Sequence, residues 1–399
     1  MELVANKAPF QRSKRTTSKI MAELLLGLAV IFVASVVHYF TIGTWYGLKA
    51  LGMMGVSILV TLLSDVMVAS MRFKGKQEEF GPFVIREVKT NYSLVTAVIF
   101  TLTLPIGTPY YVLILGNMFA TLLVKYAFGG FGHNIFNPAA LARLFVALAF
   151  GSTLVPYLGD SASQAAIQNG GLVAGATLTS QYNSALPGWL GEVGNIDLLR
   201  VFVGNYNGAL GETFAFLIII VGFVFAIRDV LNWRTPVFYI GTIGLIAIPM
   251  ALFAGVNVFE SVALSIGLGG ALFGAVFMLT DPVSSPTGNF GKALIGVIAA
   301  FFTVLIRVAG GYPEGVAFSI VIVNILAPMI DKLVVGQTTV NLWKKYTTTA
   351  AIVFVSVGTM SLIANNKVNA NVVEESSEPI SYPTYDDETG SEDLTPPYV

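Results

Sequence analysis

Apolar residues recur along this chain in long runs, and each run has about the length that a membrane helix needs, roughly 20 residues. Charged residues gather between the runs and are scarce within them. Because lipid offers no hydrogen-bond partner to an exposed backbone, runs of this length predict transmembrane helices. The runs lie at 21–40, 50–70, 91–104, 110–127, 138–154, 212–228, 236–254, 262–280, 292–309 and 315–331, and another at 347–364 predicts an eleventh helix.

The composition agrees with an all-α polytopic membrane protein. Of 399 residues, 55% are hydrophobic and 11% are charged, and the mean hydropathy is +0.74. A soluble domain carries about 25% charged residues. The net charge of -1 argues against a nucleic acid as partner. The sequence has no cysteine and two histidines, which excludes thiolate chemistry and cysteine-ligated iron–sulfur clusters in this chain.

Lysine and arginine predict the orientation of the helices. Basic residues flank the runs at 7–19, 72–89, 228–234 and 332–345, and all of these segments fall on one side, which we take as the cytoplasm. The segment 155–211 falls on the other side, and its only basic residue is Arg200. We therefore expect a prokaryotic inner-membrane protein with a cytoplasmic N-terminus and an external 155–211 loop.

The two halves of the chain resemble each other. "TLPIGTP" (Thr103–Pro109) and "TDPVSSP" (Thr280–Pro286) share the threonine and both prolines. Each half holds five runs, an odd number, so the second half is expected to insert upside down. Inverted repeats with broken helices are typical of transporters.

The breaks themselves are visible as short or interrupted runs. The run 91–104 is short and ends at Pro105, and the run 262–280 is interrupted by glycines and ends at Pro282. The predicted organisation is a cytoplasmic segment, a first five-helix repeat, an external loop, a second inverted five-helix repeat, a linker with the extra helix, and an acidic disordered tail, at 1–19, 20–154, 155–211, 212–332, 333–364 and 365–399.

Three motifs carry a family resemblance: "GGFGHNIFNPAALARLF" (Gly129–Phe145), "FMLTDPVSSP" (Phe277–Pro286) and "LIRVAGGYPEG" (Leu305–Gly315). Together they resemble the family that contains the D-type subunit of the Rnf ion-translocating ferredoxin:NAD⁺ oxidoreductase and the B-type subunit of the Na⁺-translocating NADH:quinone reductase. The resemblance implies ten helices in two inverted halves, similar to urea transporters. It also implies a flavin mononucleotide (FMN) joined through its phosphate to a threonine, and a second, non-covalent riboflavin.

The attachment motif of that family reads Asp-x-x-Ser-Gly-Ala-Thr. Its last three positions match Gly175, Ala176 and Thr177, while Gly171 and Ala174 replace the aspartate and the serine. The resemblance thus places covalent FMN on Thr177, in the loop predicted to be external, and implies a flavin transferase as a partner. The alternative is an ordinary polar loop, because threonine and glycine are common turn residues.

Several polar residues near the breaks are candidates for a buried site. Asp281 ends a predicted half-helix, where it can bind an ion, hydrogen-bond a flavin ring or cap a helix end. Asn134 and Asn137 can hydrogen-bond a riboflavin or satisfy the backbone near Pro138. Asp65 is expected to reach the membrane interface at the end of its helix.

These observations predict a flavin-carrying membrane subunit of a redox-driven Na⁺ or H⁺ pump, a translocase that is not active alone. Iron–sulfur clusters and the dinucleotide site would then lie on other membrane and peripheral subunits, because this chain has no cysteine and no glycine-rich dinucleotide fingerprint. The alternatives are a passive channel or carrier for a small polar solute, since fold does not determine function, and a scaffold subunit without flavin. Whether Na⁺ or H⁺ moves, and which electron donor is used, stay open.

Overall fold

A computed structural model describes residues 16–75, 79–154, 202, 208–212, 214–255, 257–268, 270–309, 315–334 and 342–377. The regular structure of these residues is helical, as the apolar runs predict. In the first half of the chain the helices are α1 Thr17–Ile42, α2 Thr44–Arg72, α3 Phe80–Asn91, α4 Ser93–Leu102, α5 Tyr110–Met118 with a π-helical continuation over Phe119–Tyr126, and α6 Pro138–Phe150 with a 3₁₀ turn at Gly151–Thr153.

The second half also combines long and short helices. It contains α7 Ala215–Ile227, α8 Arg234–Ala254, α9 Val258–Gly267, α10 Ala271–Phe273 with a π-helical continuation over Gly274–Met278, α11 Asn289–Ala309 and α12 Gly315–Val334. A last helix, α13, covers Leu342–Ser377. The helix α8 packs against α9, α11 and α13, and α12 packs against α11 and, from the first half, α6.

Six helices of the described chain are long and apolar enough to cross a membrane: α1, α2, α8, α11, α12 and α13. The pair formed by α9 and the helix that follows it bends by 58° at its break, and it is either a broken seventh span or a re-entrant loop. Four further apolar helices have 10–17 residues. The chain is therefore a multi-pass membrane protein, and the inverted relation of its two halves stays a prediction.

The short helix α4 cannot span a bilayer by itself. At about 1.5 Å per residue, its ten residues cover about 15 Å, half of the roughly 30 Å hydrocarbon core. The chain then turns through Pro105, and its free backbone groups are taken up by the segment 208–212: Leu210 N donates to Leu104 O at 3.0 Å, and Gly211 N donates to Leu102 O at 2.7 Å. The broken end thus stays hydrogen-bonded in lipid, as it must.

The break in the second half is held by a buried arginine. Arg307 of α11 donates from Nη1 to Ser265 O at 2.9 Å and from Nη2 to Leu268 O at 3.0 Å, and so satisfies carbonyls at the end of α9. A cation at a helix C-terminus also faces the negative end of the helix dipole. Gly270, at a φ of +68°, then bends the chain into α10.

One helix was not expected, and one expectation about an element boundary was wrong. Residues 80–91 form the separate amphipathic helix α3, which is not an apolar run because polar residues are interspersed along it. The last helix continues to Ser377, so residues 365–377 are helical rather than part of a disordered tail. The apolar pattern does not predict this extension, because the residues after Asn366 are mostly polar. They extend a helix that has already formed, and extending a helix is easier than starting one.

Candidate functional site

A cavity lies where the two halves of the chain meet at their broken helices. The first half contributes Lys125 from the π-helical segment and the loop that leads into α6, and the second half contributes the turn after Met278. We call it the shared cavity and define it by the polar residues Lys125, Asn134, Asn137, Thr280 and Asp281 and the aromatic residues Tyr92, Phe131 and Phe277 that line it. Its volume is about 60 Å³.

All three candidates that the sequence places near the breaks line this cavity. Asp281 comes from the second half, and Asn134 and Asn137 come from the first half. No short-range pattern joins them, since more than a hundred residues of chain separate the asparagines from the aspartate. The fold therefore brings the predicted elements of a single site together.

Asp281 caps the turn that carries it. Its Oδ1 accepts a hydrogen bond from Val283 N at 3.3 Å, and its Oδ2 accepts one from the Ser284 hydroxyl at 2.8 Å. Each carboxylate oxygen has further lone pairs, and the residue also lines the shared cavity. The capping role considered for Asp281 is therefore present, and it leaves acceptor capacity for a cation.

Asn137 has a structural role on both sides of the cavity. It is the N-cap of α6, and its Oδ1 accepts hydrogen bonds from Ala139 N at 3.0 Å and Ala140 N at 3.2 Å. Its Nδ2 donates to Met278 O in the second half at 3.0 Å, and its own N–H donates to Oδ1 of Asn324 at 2.9 Å. Of the two roles considered for Asn137, the structure shows the backbone role.

Asn134 is buried, with 6% of its surface exposed, and its Nδ2 donates to Phe136 O at 3.0 Å. This bond stabilises the loop before α6. A hydrogen bond from Asn134 to a flavin stays a prediction.

Two charged residues at the site were not recognised from the sequence. Lys125 is 2% exposed and lines the shared cavity. Asp65 is 1% exposed, which corrects the expectation that it reaches the interface. Its Oδ1 accepts a hydrogen bond of 2.6 Å from the hydroxyl of Tyr126, the neighbour of Lys125. The signal that could have identified the pair is a lysine and an aspartate inside otherwise apolar runs.

The predicted flavin attachment site, Thr177 with Gly175 and Ala176, lies outside the described residues. The shared cavity is therefore defined without these three residues.

The shared cavity is small for an organic cofactor. One water molecule needs about 10–15 Å³ of such space, so about 60 Å³ holds a few waters or a small hydrated ion. Drug-sized ligands occupy pockets of about 300–1,000 Å³. The polar lining suits the edge of a flavin ring, but the space does not hold a tricyclic ring, and we do not assign riboflavin to it.

An adjoining cavity of about 290 Å³ shares Val230, Leu231, Thr280 and Pro282 with the shared cavity. Arg234 and Lys292 line its wider part. A small solute in this adjoining cavity is therefore separated from Asp281 only by the side chains that the two cavities share.

Broken helices that meet around a half-buried carboxylate and a buried lysine define a class of protein, the polytopic transport-type membrane proteins with a polar site between their helices. The sequence comparisons narrow this class. A family model for the NQR2, RnfD, RnfE family matches residues 4–339, and the chain belongs to that family.

Three similar proteins illustrate the match. The D-type subunit of the proton-translocating ferredoxin:NAD(+) oxidoreductase complex of Clostridium ljungdahlii is 29% identical over 331 residues, which cover 82% of this chain and 93% of that protein. The D-type subunit of the Na(+)-translocating ferredoxin:NAD(+) oxidoreductase complex of Acetobacterium woodii is 28% identical, covering 83% and 93%. The D-type subunit of the ion-translocating oxidoreductase complex of Stutzerimonas stutzeri is 30% identical, covering 62% and 75%.

Proposed function

We propose that this chain is the D-type membrane subunit of an ion-translocating ferredoxin:NAD⁺ oxidoreductase complex and takes part in moving the ion. Support comes from the family, and from relatives of that name that match over nearly their whole length. The observation that carries the proposal is Asp281, a carboxylate at a helix break that faces a cavity between the two halves.

The geometry suits a monovalent cation better than a larger solute. The space is limited to a few waters, and the carboxylate of Asp281, the hydroxyl of Thr280 and the amide of Asn134 offer oxygen ligands along its wall. Hard cations prefer such oxygen ligands. The relatives do not distinguish Na⁺ from H⁺, because one proton-translocating and one Na⁺-translocating complex are almost equally similar to this chain.

The proposed subunit also carries a flavin, with FMN bound through a phosphoester to Thr177. The support is the match of Gly175, Ala176 and Thr177 to the attachment motif of the family. A phosphoester needs a side-chain hydroxyl, and small neighbours let a transferase hold the chain closely. The bound flavin would supply one- and two-electron chemistry, and this chain's part is to hold it at the outer side of the membrane.

Iron–sulfur clusters and the dinucleotide site are assigned to partner subunits in this proposal. The sequence contains no cysteine that could ligate a cluster. Electrons must therefore reach this chain from another subunit, which explains why it would not be active alone.

The ion-handling role is tested with Asp281→Asn in the complete complex reconstituted in vesicles. Asparagine keeps the size of the side chain and removes its charge, so ferredoxin-driven ion uptake should fall at least tenfold, a loss of about 1.4 kcal/mol or more of ion or transition-state stabilisation.

The matched control is Asp331→Asn. Asp331 also caps a turn, accepting hydrogen bonds from Thr287 N at 3.0 and 3.1 Å, but it does not line the shared cavity. If both variants transport ions equally well at equal assembly, Asp281 is only a cap and the ion-handling role is wrong.

The flavin is tested with Thr177→Ala and Thr179→Ala. A denaturing gel of the wild-type subunit should fluoresce under ultraviolet light, the first variant should lose the band and the second should keep it. Peptide mass spectrometry then locates the flavin. A wild-type band without fluorescence would identify a scaffold subunit without flavin.

A further inference from the structure

Lys125 is a charged side chain in an unusual place. It lies in the π-helical segment after α5, has 2% of its surface exposed, and lines the shared cavity. Within the described chain its amino group makes no hydrogen bond and no ion pair, and Nζ lies 5.9 Å from the ring centre of Phe131. A buried ammonium costs several kcal/mol unless it is compensated, so its neighbours decide its role.

Two carboxylates compensate the charge. Lys125 interacts electrostatically with Asp65 of the first half and with Asp281 of the second half. Neither is a contact ion pair, and around Asp65 the Tyr126 hydroxyl donates to Oδ1 while the buried Ser93 hydroxyl also interacts with the carboxylate. The ammonium thus interacts with two carboxylates and is paired with neither.

The charges of Lys125, Asp65 and Asp281 do not cancel. With both carboxylates ionised and the lysine protonated, the three side chains carry a net charge of -1. One monovalent cation in the shared cavity neutralises them. The other charged or titratable groups nearby are Arg72, whose guanidinium lies 5.4 Å from the ring centre of Tyr126, and the two tyrosines Tyr126 and Tyr92.

We propose that Lys125 is a tethered counter-ion that competes with the transported cation for Asp281. When the cavity holds no cation, the ammonium balances Asp281. When a cation enters, it repels the ammonium towards Asp65, whose carboxylate is buried and already interacts with the lysine. The inference rests on the proposed role of Asp281 and adds a regulation of that site, since it makes cation affinity depend on where Lys125 lies.

The chemistry of lysine suits this task. Its ammonium is a compact charge on a flexible four-carbon stem, so it can shift between two partners without movement of the backbone. The backbone beneath it is anchored, since Lys125 O accepts a hydrogen bond from Gly130 N at 3.0 Å. An arginine keeps the charge but is bulkier and planar, so it should preserve the competition while changing the geometry.

The test uses the complete complex in vesicles and measures ferredoxin-dependent NAD⁺ reduction and ion uptake while Na⁺ is varied, and, in sodium-free buffer, while pH is varied. A neighbouring charge changes the cation affinity of a carboxylate by about tenfold to a thousandfold. Lys125→Gln should therefore lower the half-saturating cation concentration by about tenfold or more and lower the maximal rate, because the cation leaves slowly. Lys125→Arg should restore a half-saturating concentration near that of the wild type.

Asp65→Asn should shift the same quantity in the opposite direction. Without its second partner the ammonium stays at Asp281 and competes more strongly, so the half-saturating concentration should rise. This variant decides the question alone if Lys125→Gln does not assemble. The matched control is Lys49→Gln: Lys49 also sits on a helix beside an aromatic ring, 5.0 Å from the ring centre of Trp45, but does not line the cavity.

The outcomes separate this inference from the proposed function. If Asp281→Asn abolishes ion uptake but Lys125→Gln and Lys125→Arg both leave the half-saturating concentration unchanged, the tethered counter-ion is refuted and the ion site stands. If Asp65→Asn and Lys125→Gln shift it in the same direction, or Lys49→Gln shifts it as much, Lys125 acts through structure alone. If Asp281→Asn transports normally, the proposed function itself fails.

Discussion

Replacing Asn137 with alanine should destabilise the protein more than the loss of an ordinary helix cap. The substitution removes the N-cap of α6, with its bonds of 3.0 and 3.2 Å, and the bond from Nδ2 to Met278 O at 3.0 Å that joins the two halves. An N-cap contributes about 1 kcal/mol. A side-chain hydrogen bond between membrane helices contributes about 0.6 kcal/mol on average and at most about 1.7. The free energy of unfolding should therefore fall by about 1.5–3 kcal/mol.

Two further variants separate these contributions. Asn137→Ser keeps a capping oxygen and loses only the link to the second half, so it should cost about 0.6–1.7 kcal/mol. Asn257→Ala removes a cap that makes one bond, to Phe259 N at 3.0 Å, on an exposed helix end, and should cost about 1 kcal/mol. The assay is reversible unfolding of the purified subunit from mixed micelles by increasing fractions of sodium dodecyl sulfate. Equal losses for Asn137→Ala and Asn257→Ala would refute the role of Asn137 in joining the halves.

Three other outcomes are expected. Gly296→Ala should destabilise the protein by about 1–3 kcal/mol in the same unfolding assay, because a Cβ there would lie 2.6 Å from a backbone oxygen of α8. The control is Gly241→Ala, where a Cβ would meet nothing within 4 Å, so its stability should stay within about 0.5 kcal/mol of the wild type. Glu23→Gln should destabilise the protein only slightly, and less still in high salt, because the arginine of its 3.0 Å ion pair has 54% of its side chain exposed. A reporter fused after Gln181 should face the outside and one fused after Gly75 the cytoplasm, and equal reports from both would contradict the inverted repeat.

Much of the architecture could be predicted from the sequence because the bilayer imposes it. A span needs a minimum length of apolar residues, so α1, α2, α8, α11 and α12 appear directly as runs. The breaks also appear, since Pro105 ends the short helix α4 and glycines interrupt the chain before α10. The amphipathic helix α3 has no such constraint, because its 12 residues alternate between polar and apolar positions and form no long apolar run.

The candidate site, too, could be predicted from the sequence only in part. Asp281, Asn134 and Asn137 could be singled out from the sequence, because polar residues beside helix breaks at membrane depth are rare and costly. Their roles could not be chosen, since a cap and a ligand need the same residue types. Only the packing of α6 against the second half shows that Asn137 caps its helix and holds Met278 O at 3.0 Å.

The tertiary structure alone decided the electrostatics. Lys125 and Asp65 lie on different helices, and Asp281 lies in the other half of the chain, yet Lys125 interacts electrostatically with both carboxylates and shares one small cavity with Asp281. Sequence periodicity describes which face of a helix is apolar, but the energy of a buried charge depends on atoms within a few ångströms in space. The chain's own pattern determined that its helices cross a membrane, and the meeting of its two halves determined where its buried charges find their partners.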